Sequence, residues 1–105
     1  MDFTRCVLER KSITQFLAKK IPVPVLGELL DIARYAPSSG NIQNWKFIIV
    51  DEKEKLHALS EACYDQDWIS NAAVAIVVCG DVGHAASLYG KVAEKYTLSN
   101  CANVS

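Results

Sequence analysis

Two apolar runs constrain this chain more than any other feature. They are "WKFIIVD", from Trp45 to Asp51, and "AAVAIVVCGD", from Ala72 to Asp81. Each is apolar nearly throughout, which predicts a strand buried on both faces. No other stretch gives a strand signal as strong. A two-stranded sheet is marginal alone, so helices must cover these strands.

Helical patterns fill the rest. Asp2 predicts an N-cap for a short helix to Glu9, with Phe3, Cys6, Val7 and Leu8 on its apolar side. "ERKSITQF" breaks that period: Ser12, Thr14 and Phe16 alternate with Ile13 and Gln15, which suits an extended piece. "IPVPVLGELLDIARYAP" is the clearest helix. Pro24 fits its first position, Leu26, Leu29, Leu30, Ala33 and Ala36 form one face, and Pro37 stops it at Ala36. "EKEKLHALSEACY" predicts a helix with Leu56, Leu59 and Cys63 on one side. Another runs from about His84 to Tyr96, and Thr97 or Ser99 caps a last one whose stripe starts at Leu98, Cys101 and Ala102. The order α, α, β, α, β, α points to an α/β or α+β domain. The last pattern carries no stop signal before Ser105, and strands are few. The expectation is one domain over residues 1–105, cut at its C-terminal end.

Composition narrows the function classes. Half the residues are hydrophobic, the formal net charge is −1, and no basic stripe exists, so nucleic-acid binding is not expected. No apolar run reaches membrane-spanning length, and the first ten residues lack the apolar core of a signal peptide. The expected location is the cytoplasm. Cys6, Cys63, Cys79 and Cys101 have long, irregular gaps, so neither a metal site nor a dithiol motif is predicted. Free thiols are expected, with Cys79 a small core residue.

Two segments could carry chemistry. In "ERKSITQF", Arg10, Lys11 and Ser12 offer a fork, a point charge and a hydroxyl to a phosphate. Taken alone, the segment also suits a solvated charged turn. In "PSSGNIQNW", Asn and Gln side chains present a donor beside an acceptor, which suits the edge of a pyrimidine-like ring. Gly40 permits positive φ and close backbone approach, while Ser38 and Ser39 leave room for a flat ring. Taken alone, this too suits a polar turn after a helix. His57 and His84 lack triad partners at a recognisable spacing. The acids Asp51, Glu52, Asp65 and Asp67 suit helix caps better than paired-carboxylate catalysis. Trp68 suits core or interface. Neither GxGxxG nor GxxxxGK[ST] occurs.

Together the two segments resemble the nitroreductase family of FMN-dependent oxidoreductases. That family opens with a basic pair, Ser, and a basic residue shortly after. It then carries an amphipathic helix ending in Ala-Pro-Ser-Ser-x-Asn-x-Gln-Pro-Trp, matched here by Ala36 to Trp45. "QDWISNAAVAIVVCGD" resembles the lead-in and second core strand, and "YTLSNCANVS" the start of the long central helix. The resemblance implies an α+β fold, a mixed sheet flanked by helices, with the C-terminal part missing from this chain. It implies a homodimer holding FMN at its interface. Arg10, Lys11, Ser12 and Thr14 would bind the ribityl phosphate and the flavin's polar edge. Pro37, Ser38, Ser39, Asn41 and Gln43 would reach the flavin from the partner subunit. The implied reaction is ping-pong, from NADH or NADPH through FMN to a nitroaromatic, quinone or similar acceptor. The flavin carries that chemistry, so no catalytic side chain and no metal are implied. The alternative is a non-catalytic flavin-binding or dimerisation fragment of such an enzyme.

Two residues depart from the family pattern. Thr14 stands where Arg or Lys is usual, which removes a cation from the expected flavin edge. Asn44 replaces the proline before Trp45, which frees φ and leaves an extra N–H and amide to satisfy.

Overall fold

The computed structural model describes residues 2–105. Helix α1 (Phe3–Glu9) starts as expected: the Asp2 carboxylate accepts from the Arg5 amide at 2.8 Å, satisfying a first-turn donor. Residues 10–22 form no helix or strand. Helix α2 (Val23–Ala33) places Pro24 at its second position, not its first. An amide there has no intrahelical acceptor, so the ring costs no bond. The helix also ends at Ala33, three residues before the expected stop. The Tyr35 and Ala36 amides bond back to the Ile32 and Ala33 carbonyls, a tightened last turn. Pro37 disfavours helical geometry at Ala36, so the helix unwinds ahead of it.

Strands β1 (Trp45–Val50) and β2 (Ala75–Gly80) pair antiparallel, Trp45 opposite Gly80 and Val50 opposite Ala75. Among the described residues they make up the whole sheet, and the architecture is α+β. Helix α3 (Lys53–Ala62) and a 3-10 turn over Asp67–Asn71 return the chain from β1 to β2. The expectation of strands buried on both faces fails at one end. Ile48 and Ile49 point to opposite faces, yet are 53% and 39% exposed. Helical cover meets the sheet beside Gly80, opposite Trp45.

That cover comes from the C-terminal helices. Helix α4 (Val82–Tyr89) is capped by the Asp81 carboxylate, which accepts from the His84 amide at 3.0 Å. The single helix expected to Tyr96 instead breaks at Gly90, whose φ is 55°. Helix α5 (Ala93–Val104) follows. Thr97 and Ser99 therefore lie inside α5 and cap nothing. The buried face of α5 is Ala93, Thr97, Asn100 and Val104, while Leu98, the expected start of its stripe, is exposed. Gly80 explains this choice. A Cβ there would overlap the Thr97 Cγ2 methyl and lie 2.9 Å from Cys101 Sγ. Glycine lets α5 settle against β2, and the residues facing it are the ones buried.

The interior is small and mixed. Trp45, Leu56, Ala85, Ala93 and Val104 are buried, together with Asn44, Ser60, Thr97 and Asn100. By contrast, every residue from 2 to 25 is exposed, including Phe3, Val7 and Leu8 on α1. The radius of gyration is 15.8 Å, against about 13 Å for a compact chain of this length. All four cysteines are free thiols, and Cys79 is only partly buried.

Candidate functional site

The polar loop between α2 and β1 is fixed from behind. A 3-10 turn spans Ser39–Asn41, and Gly40, Asn41 and Gln43 all have positive φ, at 58°, 55° and 48°. Glycine adopts that conformation freely, and Asn tolerates it better than most residues. Gly40 is required twice over, because a Cβ there would collide with the Tyr89 hydroxyl. The Gln43 amide donates to Ser38 Oγ at 3.1 Å, closing the loop on itself. Gln43 Nε2 donates to the Arg34 carbonyl at 3.2 Å, satisfying an acceptor at the end of α2. Asn103 Nδ2 donates to the Pro37 carbonyl at 3.3 Å.

Behind the loop lies a buried amide network. Asn44 Nδ2 donates to the Asp81 carbonyl at 2.7 Å and to Thr97 Oγ1 at 3.0 Å. Asn44 Oδ1 accepts from Asn100 Nδ2 at 2.9 Å. The Ser39 amide donates to Asn100 Oδ1 at 2.8 Å, and Asn100 Nδ2 donates to Ser39 Oγ at 3.0 Å. Every polar atom of the two asparagine side chains is engaged, as burial demands. The extra amide that Asn44 brings in place of proline is thus satisfied. Asn44 and Asn100 were not predicted as site residues. The signal available in sequence was the Asn44 departure; nothing local pointed to Asn100.

Asn41 differs from its neighbours. It is exposed, and among the described residues its side chain makes no hydrogen bond. An amide at positive φ on a loop braced by its neighbours is presented outward with a donor and an acceptor free.

The basic segment is a separate feature. Arg10, Lys11, Ser12 and Thr14 are exposed. Arg10 Nη1 donates to Ser12 Oγ at 3.4 Å, and neither Arg10 nor Lys11 has an acidic partner among the described residues. Phe16 anchors the segment, its ring 6.1 Å from that of Trp68. Trp68 is positioned in turn by Gln66, whose Oε1 accepts from Trp68 Nε1 at 3.3 Å. An open groove of about 330 Å³ beside Thr14 is lined by Thr14, Gln15, Phe16, Ala18 and Asn71. Within one copy of the chain no hydrogen bond or ion pair joins residues 10–14 to the loop at 37–43, among the described residues. No His, Cys, Asp and Glu cluster of three suited to a metal occurs among them either.

Comparison with known proteins finds relatives along most of the chain. The family model described as "Nitroreductase family" matches residues 7–102. An NADH dehydrogenase of Thermus thermophilus is 32% identical over 85 residues, 81% of this chain and 42% of that protein. An FMN reductase [NAD(P)H] of Bacillus subtilis is 28% identical over 84 residues, 80% of this chain and 34% of that one. The solved structure of NfrA2 from B. megaterium superposes with a TM-score of 0.84 at 26% identity, covering 96% of this chain and 46% of that one. The chain spans less than half the length of the curated relatives it matches.

Proposed function

Because the chain belongs to the nitroreductase family, we propose that it serves an FMN-dependent oxidoreductase taking electrons from NADH or NADPH. The observation that carries this reading is Asn41, whose free amide is presented on a loop braced by a buried network. The name of the Bacillus subtilis relative, an FMN reductase, supports the same cofactor.

The residues present fit FMN. Arg10 and Lys11, free of acidic partners among the described residues, supply charge for a phosphate. Ser12 and Thr14 add hydroxyl groups beside them. Pro37, Ser38, Ser39, Asn41 and Gln43 form a second wall, with Asn41 offering a donor and an acceptor to a ring edge. Among the described residues the two walls make no polar contact within one chain, so the reading assigns them to two copies in a homodimer. FMN, when bound, supplies two-electron redox chemistry between the nicotinamide donor and a nitroaromatic, quinone or similar acceptor, in ping-pong order. The chain's own part is to bind and orient. Thr14 holds no charge at the ring edge, so the flavin there is harder to reduce unless another cation replaces the missing one.

The test is reconstitution. The purified chain is mixed with FMN, freed of excess, and treated with NADH without oxygen. Retained yellow colour that bleaches supports the proposal. Colour without bleaching favours a flavin-binding or dimerisation module, and no retained flavin refutes the reading.

A further inference from the structure

The buried network decides which way the Ser39 hydroxyl works. The relay of orientations begins at the Asp81 carbonyl, which can only accept. Asn44 must therefore turn its Nδ2 towards it, at 2.7 Å. That leaves Asn44 Oδ1 facing Asn100, which must present Nδ2, at 2.9 Å. At the far end the Ser39 amide can only donate, so Asn100 must present Oδ1 there, at 2.8 Å. Both ends fix Asn100 in the same orientation. Its Nδ2 then also donates to Ser39 Oγ at 3.0 Å. A hydroxyl that receives a donor keeps its own hydrogen for another acceptor. Among the described residues that hydrogen has none.

We propose that Asn100 is a positioning residue that makes the Ser39 hydroxyl a committed hydrogen-bond donor to a ring carbonyl or unprotonated ring nitrogen of the bound flavin. This rests on the proposed FMN function. Asn44, in place of the family's usual proline, fixes the orientation of Asn100 through side-chain bonds where a ring would restrict φ. Asn100 touches no ligand itself. It is 1% exposed, reaches Ser39 across most of the chain's length, and acts through Ser39 alone.

The test compares Ser39→Ala, Asn100→Ala and the double variant. FMN affinity is read by fluorescence quenching, the bound flavin by its visible spectrum, and the fold by thermal melting. Ser39→Ala leaves Asn100 bonded to the backbone amide and to Asn44, so melting holds. FMN should bind about tenfold more weakly, the worth of one well-placed hydrogen bond. Its visible band should shift, which a purely structural role would not cause. Asn100→Ala should weaken FMN at least as much, and adding Ser39→Ala to it should change nothing more. Unchanged affinity in Ser39→Ala, or losses that simply add, overturns the role of Asn100. If Asn100→Ala fails to fold, the affinity and spectrum of Ser39→Ala decide alone. A wild-type chain that takes up no FMN overturns the proposed function, and this inference with it. Hydrogen exchange at the Ser39 amide without FMN separates these failures, because Asn100 should protect that amide whether or not a flavin binds.

Discussion

Gly80→Ala should dislodge α5, and the offending atom can be named. The new methyl would overlap Thr97 Cγ2 and sit 2.9 Å from Cys101 Sγ. Overpacking of this kind costs about 1–3 kcal/mol. Losing a glycine from the unfolded chain returns about 0.4–1 kcal/mol, so a net loss of about 1–2 kcal/mol is expected. In a chain of this size that lowers the melting temperature by roughly 5–15 °C. Thermal melts and urea midpoints, followed by circular dichroism, would measure it. The clash also predicts its own remedy. Thr97→Ser deletes Cγ2 but keeps the hydroxyl that accepts from Asn44. In the Gly80→Ala background it should recover about half the loss, with Cys101 Sγ left to rotate aside. A Gly80→Ala chain as stable as wild type, or a Thr97→Ser change that recovers nothing, would refute the account of how α5 meets the sheet.

Three further outcomes follow from the described geometry. Thr14→Arg should raise the midpoint potential of bound FMN, because a cation at the ring edge favours the electron-rich form; a redox titration showing no rise counts against the placement of Thr14. Asn41→Ala should weaken FMN retention while far-ultraviolet circular dichroism stays the same, and equal affinity would return the loop to a structural turn. Burial pushes the Cys101 thiol up, and Cys79 beside it adds to the rise. Its thiolate is therefore scarcer near neutral pH, so iodoacetamide should label exposed Cys6 well before Cys101, as peptide mass mapping over time would show.

What could be read in advance follows the range of the interactions. The Asp2 cap, the two strands and the presence of a helix around His84 depend on neighbours a few residues away, and each was legible, although that helix starts at Val82. The polar loop was legible as a candidate only through its match to a second, basic segment. Burial was not legible, because it depends on what lies opposite. Ile48 and Ile49 read as buried, yet both are exposed. Thr97 reads as a cap, and nothing local to Asn100 points to burial. Their burial depends on Gly80, and on Asn44 more than fifty residues earlier in the chain. Asn44 is the instructive case. Its unmet hydrogen-bonding capacity could be read from the substitution alone, but the groups that meet it could not.

The mixed interior also shapes how the chain responds to temperature and denaturant. Four of its nine buried residues are Asn, Ser or Thr. Exposing apolar surface raises the heat capacity on unfolding, whereas exposing amides and hydroxyls lowers it. An interior so divided, beside an N-terminal quarter that is already wet, leaves little increment. The stability curve should accordingly be shallow, with no sharp optimum, and urea should act on it with a gentle slope because little new surface is exposed. Heating and cooling alike should change this fold gradually.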